Sequence, residues 1–274
     1  MSNFNRFLEK AIIAAMEAGQ EIMNVYEGPH EIELKIDKSP LTIADRRSHN
    51  KIMEHLKNTD IPVLSEEGKT IPYQERQNWD LFWLVDPLDG TKEFIKRNGE
   101  FTVNIALIEK GKPIMGVIYA PVMDILYFGS TWVPGRIKHH AMEAFNNLKN
   151  EDHFMDNLFA SCMKMPLSID AVNYTVVASR SHLTSETEIF IDKLRSLHGE
   201  LQFISKGSSL KICLVAEGTA HVYPRLAPTM EWDTAAGQAI AESAGCTVLN
   251  YETNQEITYN KENLLNPFFV VMRK

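Results

Sequence analysis

The chain has 274 residues, of which 44% are hydrophobic, and a formal net charge of −8. This length and composition suffice for one large domain or two smaller ones. The acidic balance argues against binding along a nucleic-acid backbone, because no surplus of basic residues exists to displace counterions. An anionic small molecule can still bind where metal ions or local basic residues mediate the contact.

The cysteines and the apolar runs predict a cytoplasmic protein. Cys162, Cys213 and Cys246 are odd in number and far apart, which indicates reduced thiols. The first residues lack the apolar core of a signal peptide, and no apolar run is long enough to cross a bilayer. A peripheral association with the inner membrane is compatible with this prediction, and the sequence leaves a homodimer open.

Helical and strand patterns alternate at the start of the chain. Apolar residues at helical spacing predict an amphipathic helix over residues 4–26, and residues 31–37 alternate like a strand. A second helix is predicted over residues 42–57. Its first turn contains Asp45, where the helix dipole favours a carboxylate, so Asp45 by itself is explained as a helix-terminus charge.

Two apolar strands, at 61–64 and 81–85, both end in carboxylates followed by a glycine. The runs that follow them are Ser65-Glu66-Glu67-Gly68 and Asp86-Pro87-Leu88-Asp89-Gly90-Thr91. Glu66-Glu67 alone could be a solvated turn. Because the pattern recurs, the sequence suggests a shared acidic site at one edge of a sheet.

The second of these runs is suited to a divalent cation. Pro87 fixes its φ and has no N–H donor, so we predict a turn there. The turn would gather the carboxylates of Asp86 and Asp89 with the Leu88 carbonyl and the Thr91 hydroxyl. Such an all-oxygen set is what Mg2+ prefers. The alternative is an Asx-rich turn that caps a helix starting near Thr91.

The middle of the chain predicts a hairpin and then a polar segment. Strands are expected at 102–108 and 113–120, and the sheet continues over 124–129. Residues 132–157 are polar and predict a surface loop. The His139-His140 pair in that segment could bind a metal, but no partner stands at a useful spacing.

The C-terminal part predicts strands at 174–178, 201–204 and 220–225, with closing strands at 246–249 and 268–271. Helices are expected at 184–197, from 207 to about 216, and over 235–241. Two of these helix starts are candidate anion pockets, and Asp233 at the third is explained by capping alone. The candidate runs are Ser179-Arg180-Ser181-His182 and Gly207-Ser208-Ser209-Leu210-Lys211.

Two long motifs give the acidic positions a context. Residues 83–91 read WxxDPxDGT and residues 232–236 read WDxAA, and Asp45 and Glu66 precede them in order. This arrangement resembles the inositol monophosphatase superfamily of Mg2+-dependent, lithium-sensitive phosphatases. The resemblance implies an α/β (α+β) fold, a layered αβαβα sandwich. We expect a metal-binding half over 1–157, and a half over 158–274 that supplies the substrate pocket and the last metal ligand.

The finer resemblance is to the CysQ type, the 3'(2'),5'-bisphosphate nucleotidases. It covers essentially the whole chain, through the runs at 35–45, 89–94, 179–182, 207–211 and 223–225. The implied activity is hydrolysis of adenosine 3',5'-bisphosphate, a product of sulfate activation, to AMP and phosphate. A small-molecule nucleotide bisphosphate is therefore the expected partner.

The resemblance also implies site residues, with two or three Mg2+ ions as cofactor. Glu66, Asp86 and the Leu88 carbonyl would hold one ion; Asp86, Asp89 and Asp233 would hold the second. Glu67 would lie near a third.

The implied catalytic residues are Asp45, Thr91 and Glu66. A water activated by the metals would attack the phosphate, with Thr91 relaying its proton to Asp45. The implied substrate-binding residues are Gly90, Thr91, Ser179, His182, Ser208, Lys211, Arg225 and Asp233. Among these, Lys211 and Arg225 would form a second, metal-free anion pocket.

Two rival functions stay open at this point. The first is a related inositol or sugar monophosphatase on the same fold. The second is a non-catalytic nucleotide or metal sensor that has kept the pocket. The presence of both Thr91 and Asp45 argues against the sensor, since a sensor could lose either.

Overall fold

The structure is a computed structural model that describes residues 3–28, 32–34, 40–167, 174–178 and 184–273. The helices in these ranges are α1 (Asn3–Tyr26), α2 (Ile43–Leu56), α3 (Tyr73–Arg76), α4 (Thr91–Ile95), α5 (Ala141–Leu148), α6 (Phe154–Ser161), α7 (Ser185–His198), α8 (Leu210–Glu217) and α9 (Glu231–Ser243). The strands are β1 (Ile32–Leu34), β2 (Pro40–Thr42), β3 (Val63–Ser65), β4 (Leu81–Asp89), β5 (Thr102–Glu109), β6 (Lys112–Ala120), β7 (Ile125–Ser130), β8 (Arg136–His139), β9 (Met163–Lys164), β10 (Tyr174–Val177), β11 (Leu201–Ile204), β12 (Val222–Arg225), β13 (Cys246–Asn250) and β14 (Phe269–Arg273).

Within the described ranges the strands form a larger sheet, a smaller sheet and the short antiparallel pair of β1 and β2. The larger sheet has the order β3-β4-β5-β6-β7-β8-β9, in which β3 and β4 are parallel and the later neighbours antiparallel. The smaller sheet has the order β11-β10-β12-β14-β13. The hairpin predicted between β5 and β6 is present, with φ of 50° at Lys110 and 76° at Gly111. Positive φ at both residues is typical of the tightest hairpin turns.

Alternate side chains of the strands produce the layers of the fold. In β4, Trp83 and Val85 pack with α1 and α2, whereas Phe82 and Leu84 point the other way, toward α8 and α9. The smaller sheet packs on the same two helices from their other side, and its outer face packs against α7. The layers run helix, sheet, helix, sheet, helix, which confirms the predicted αβαβα sandwich.

The small residues of α9 let this helix lie against the larger sheet at backbone distance. A Cβ built on Gly116 of β6 would stand 2.1 Å from the Ala236 carbonyl oxygen and 2.8 Å from its carbonyl carbon. Neither contact can be relieved by a rotamer change, because both atoms belong to the backbone. The glycine at 116 therefore fixes how closely the middle helical layer approaches the sheet.

The turn predicted at Pro87 is wrong, because β4 runs on through Pro87 to Asp89. Pairing with β3 ends at Val85, and among the described residues no strand pairs with β4 on that side beyond this point. Pairing with β5 is irregular between Asp86 and Asp89. A free edge and a bulge are the places where a strand tolerates proline, since no ladder donor is needed there.

The surface loop predicted over 132–157 is also wrong, since this segment contains β8, α5 and the start of α6. Phe145, Phe154 and Leu158 are buried in the main core and hold the two short helices on it. The polar residues between these positions hide the pattern in the sequence. His139 and His140 are exposed, and His140 has a positive φ of 52° just before α5.

The division into halves at residues 157 and 158 stays a prediction. The larger sheet draws β9 from beyond that position, and α9 of the C-terminal half packs on β5, β6 and β7. The halves thus share a core. Across the described ranges, no helix combines the length and apolar character that a membrane crossing needs.

We predict that Gly116→Ala lowers the free energy of unfolding by about 3 kcal/mol, because the added methyl group forces β6 and α9 apart. Gly28→Ala is the matched control, since its new Cβ would meet nothing closer than 3.8 Å. Urea-induced unfolding followed by circular dichroism measures both. Equal stability of the two variants would contradict the close packing described here.

Candidate active site

The acidic side chains predicted to share a pocket lie close together, although separate parts of the fold supply them. Asp45 is in the first turn of α2, Glu66 follows β3, Asp86 and Asp89 are in β4, and Asp233 is in the first turn of α9. Burial raises the pKa of Asp86 well above its usual range, and the charges of the other four raise it further. The five groups therefore act on one another electrostatically.

Parallel pairing of β3 and β4 places Glu66 beside Asp86. Ser65 is in register with Val85, and the Glu66 amide donates to the Val85 carbonyl at 3.1 Å. Both strands thus end at the same edge of the sheet, as the repeated acidic pattern in the sequence suggested. Glu66 is exposed at this edge, whereas Asp86 is only 1% exposed.

Two side chains of α2 contact the strands that carry the acidic residues, one at Pro87 of β4 and the other at Ser65 of β3. The buried Ser48 hydroxyl donates to the Pro87 carbonyl at 2.6 Å. His49 Nδ1 lies 3.0 Å from the Ser65 hydroxyl. Burial lowers the pKa of His49, and the charge of Glu67 partly offsets this effect. The Glu67 carboxylate is therefore close enough to act electrostatically on α2.

The Asp86 carboxylate is oriented by its own strand. The Leu88 amide donates to Asp86 Oδ1 at 3.1 Å, across the irregular part of β4. The Leu88 carbonyl accepts a long contact of 3.5 Å from the Thr91 hydroxyl. The same hydroxyl lies 3.5 Å from Asp45 Oδ1. Thr91 thus connects the β4 bulge to the buried carboxylate of α2.

Asp89 is held from the other half of the chain. Its Oδ2 atom accepts from the Ser209 amide at 2.5 Å and from Asn104 Nδ2 at 3.5 Å. The Ser209 hydroxyl lies 2.9 Å from Asn104 Oδ1 and 2.8 Å from the Thr102 hydroxyl. Burial raises the pKa of Asp89, and Lys211, Ser209 and Asn104 oppose that rise.

Asp233 has a structural contact as well as a place in the cluster. Its Oδ2 atom accepts from the Met230 amide at 2.9 Å, so the capping role that the sequence suggested is present. Burial, and after it the charges of Asp89 and Glu66, raise the pKa of Asp233 to about 8. A capping aspartate on an open surface would have no such shift, because water would screen its neighbours.

The donor chemistry of the cluster fits Mg2+. Carboxylates and a backbone carbonyl are hard oxygen donors, and a divalent cation would offset the repulsion that raises these pKa values. In the part of the chain that the structure describes, no three acidic, histidine or cysteine side chains enclose a cation as they lie. Binding would therefore require the carboxylates to turn toward the ion.

A cavity of about 450 Å³ is lined by Asp89 and Asp233 of the cluster and also by the cations Lys211 and Arg225. Burial lowers the pKa of Lys211 to about 8, although Asp89 acts against this. The Lys211 ammonium donates to the Lys206 carbonyl at 3.4 Å, and Arg225 donates to the Pro228 carbonyl at 3.0 Å. Among the described residues, the buried Arg225 Nε and Ser208 hydroxyl have no hydrogen-bond partner. Unsatisfied donors beside half-buried cations suit an anionic ligand.

The remaining predicted site residues divide into two groups. Gly90, with φ of 95°, precedes α4 and lines the same cavity, as do Ser208 and Arg225. Ser179 and His182 lie outside the described residues.

Several polar residues that support the site were not singled out by the sequence. Each has a hydrogen bond to Pro87 or Asp89 of β4 or to the Gly207 amide, and they are Ser48, Asn104, Ser209 and Glu100. Ser209 belongs to the run 207–211, which is a usable signal. Ser48 and Asn104 lie inside a helix and a strand, where no local pattern marks a polar residue as functional.

The fold and the acidic pocket together define a class of metal-dependent phosphatases, and the comparisons with known proteins agree. The sequence profile of the inositol monophosphatase family matches residues 5–268. The chain belongs to the inositol monophosphatase family.

Within this family the chain is similar to CysQ proteins. It is 46% identical to the 3'(2'),5'-bisphosphate nucleotidase CysQ of Salmonella typhimurium over 271 residues, which are 96% of this chain and 98% of the relative. The crystal structure of CysQ from Bacteroides thetaiotaomicron has a TM-score of 0.91 at 50% identity, covering 99% of this chain and 98% of that one. The suhB protein of Bartonella henselae, at 22% identity and a TM-score of 0.73, shares the fold.

We predict that stability without divalent cations falls as pH rises from about 4 to about 8. The pKa of Asp233 is about 8 in the folded chain, against about 4 when unfolded. The folded state therefore holds this proton more tightly and loses that advantage as the group ionises. Asp233→Asn should flatten part of the slope in chelator-treated protein, measured by urea unfolding at several pH values.

The control for this measurement is Asp192→Asn, because Asp192 is 71% exposed on α7. It should keep the wild-type slope. A stability that rises over the same pH interval, or an Asp233→Asn variant with an unchanged slope, would contradict the burial of these carboxylates.

Proposed function

We propose that the chain is a Mg2+-dependent phosphatase that hydrolyses adenosine 3',5'-bisphosphate to AMP and phosphate, as a 3'(2'),5'-bisphosphate nucleotidase. The observation that carries this proposal is the adjacency of two anion sites of different kinds. One is the acidic cluster, where cations would hold a phosphate. The other is the pair of cations Lys211 and Arg225, whose side chains line the same cavity. Relatives that are 45–46% identical to this chain are named 3'(2'),5'-bisphosphate nucleotidases, a substrate class that includes this nucleotide.

Glu66, Asp86 and the Leu88 carbonyl would hold one Mg2+, and Asp86, Asp89 and Asp233 a second. Bound Mg2+ supplies charge neutralisation at the phosphoryl group and acidifies the attacking water. We propose two ions, with a third near Glu67. The electrostatics support this division, since the charge with the largest effect on the pKa of Asp86 is that of Glu66, and the one with the largest effect on the pKa of Asp233 is that of Asp89.

Thr91 and Asp45 would take up the proton that the attacking water releases. A threonine hydroxyl is not a base by itself, so it must pass a proton to a partner. Asp45 Oδ1 lies 3.5 Å from the Thr91 hydroxyl and is nearly buried, with 3% exposure. Such contacts in a ligand-free site commonly tighten when substrate is bound. Glu66 would help to orient the water, and the Gly90 and Thr91 amides would bind a phosphate oxygen.

The second phosphate would bind at Lys211, Arg225 and Ser208. This pocket provides two cations and a buried hydroxyl free to hydrogen-bond among the described residues. A monophosphate of inositol or of a sugar has no second anion for these groups. That mismatch favours the nucleotide over the rival substrates, and we propose that Ser179 and His182 complete the contacts to the nucleotide.

We propose a cytoplasmic location for the enzyme. Cys162, Cys213 and Cys246 are all free thiols, and burial raises the pKa of each. Buried thiols of high pKa resist oxidation and do not call for an oxidising compartment. Peripheral membrane association and a homodimer stay predictions from the sequence.

The substrate assignment predicts that, with Mg2+, kcat/KM for adenosine 3',5'-bisphosphate exceeds that for inositol 1-phosphate by at least about tenfold, since only the former fills both pockets. Released phosphate is the measurement.

Asp89→Asn should lose phosphate release while keeping its fold. Asp192→Asn, on exposed α7, is the control with wild-type rates. Equal turnover of the two substrates would favour the inositol monophosphatase rival, and full activity of Asp89→Asn would refute the metal role.

The relay predicts that Thr91→Ala lowers kcat by about 100-fold with a small change in KM, because proton transfer is lost but binding is kept. Thr91→Ser retains the hydroxyl and should recover most of the rate. Steady-state kinetics with the bisphosphate distinguishes the two. If serine at this position is no better than alanine, the hydroxyl is not the functional atom.

A further inference from the structure

The cavity wall beside Lys211 is a loop whose backbone is held in a restricted shape. We call residues 205–209, between β11 and α8, the pocket loop. Ser208 has a positive φ of 46°, a conformation that residues with a side chain adopt only rarely. Gly207 has no room for a Cβ, which would stand 2.7 Å from Glu93 Cγ and 2.8 Å from the Glu100 carbonyl oxygen. Something must hold this shape in place.

Glu100 contacts the pocket loop at two points. Its Oε2 atom accepts from the Gly207 amide at 2.8 Å, and its Oε1 atom lies 3.3 Å from the Lys206 ammonium. The side chain is 14% exposed, so these contacts are largely shielded from water. A hydrogen bond from an amide to a shielded carboxylate is stronger than one between neutral groups.

The backbone of Glu100 also joins the loop to the phosphate-binding turn. Its carbonyl oxygen would be 3.3 Å from a Cβ at Gly90 and 2.8 Å from one at Gly207. Both glycines therefore pack on the same peptide. Glu100 stands between the turn that would hold the reacting phosphate and the loop that borders the second-anion pocket.

The orientation of the loop decides what the second-anion pocket presents. The Lys206 carbonyl accepts from the Lys211 ammonium at 3.4 Å, and the Ser208 hydroxyl is buried without a partner among the described residues. Both features depend on the peptide group between Lys206 and Gly207, whose N–H donates to the Glu100 carboxylate. Without that hydrogen bond, fewer contacts hold Ser208 at its positive φ.

The catalytic side of the loop has separate support. Ser209 is held through its hydroxyl by Thr102 at 2.8 Å and Asn104 at 2.9 Å. Its amide contact to Asp89 is therefore secured by β5, without help from Glu100. A change at Glu100 should reach the second-anion pocket and leave the acidic cluster in place.

We propose that Glu100 is a positioning residue that determines specificity for the second phosphate of the substrate. It acts by fixing the Gly207 peptide, which sets the Ser208 hydroxyl and the Lys211 ammonium toward that phosphate. This inference rests on the proposed bisphosphate nucleotidase activity and names the residue that gives the activity its preference for two phosphates over one.

The test uses Glu100→Ala, Glu100→Gln and wild type with two substrates, adenosine 3',5'-bisphosphate and adenosine 3'-monophosphate. Glu100→Ala should raise KM for the bisphosphate about tenfold, as expected for loss of a hydrogen bond to a charged acceptor. We expect kcat, and both constants for the monophosphate, to stay within about twofold of wild type. Glu100→Gln keeps an acceptor for the Gly207 amide and should restore most of the affinity.

Glu256→Ala is the matched control, because Glu256 pairs with Lys112 on the surface with 59% exposure. Thermal unfolding of every variant separates a positioning role from general destabilisation. Three results would overturn the inference: an equal rise of KM for both nucleotides, no recovery in Glu100→Gln, or wild-type KM in a folded Glu100→Ala. If the wild type itself shows no preference for the bisphosphate, the proposed function fails first, and that result is distinct from the other three.

Discussion

Repulsion among buried carboxylates is the constraint on which the site depends. Asp86 has 1% exposure, and four other acidic groups act on it. A protein does not gather such groups for stability, since each one loses hydration and gains a like-charged neighbour. The rest of the fold must overcome this cost, and the layered core around α9 is large enough to do so. Divalent cations would offset this repulsion, and they supply the charge neutralisation and the activated water that hydrolysis of a phosphate ester requires.

The hydrogen bond between Asp89 and the Ser209 amide is where the two sides of the active site meet. It joins the end of β4 to the start of α8, two elements separated by 120 residues in sequence. The acidic cluster and the cationic pocket therefore have a fixed relation to each other. A substrate with two phosphates needs such a relation, because both anions must reach their sites together. The αβαβα arrangement provides it by placing α8 and α9 between the sheets.

The sequence predicts an element correctly where its apolar pattern arises from the same buried contacts that hold the element in the structure. Apolar periodicity predicts the helix over 4–26 and the strands at 61–64 and 81–85, because the buried faces of these elements are regular. The helices and the strand of segment 132–157 could not be predicted because only a few of its residues reach the core. The continuation of β4 through Pro87 could not be predicted because a strand tolerates proline only where its neighbouring strand has ended, and the sequence does not show where that is. Asn104 and Glu100 could not be found, since the contacts that join them to the loop before α8 span more than 100 residues of sequence.

Asp233 both caps the last long helix and belongs to the acidic cluster. Its bond to the Met230 amide is made within the chain itself, so α9 keeps its first turn whether or not an ion is nearby. The same carboxylate therefore links the start of α9 to the acidic cluster, so a change of side chain at 233 alters the helix cap and the charge of the pocket together.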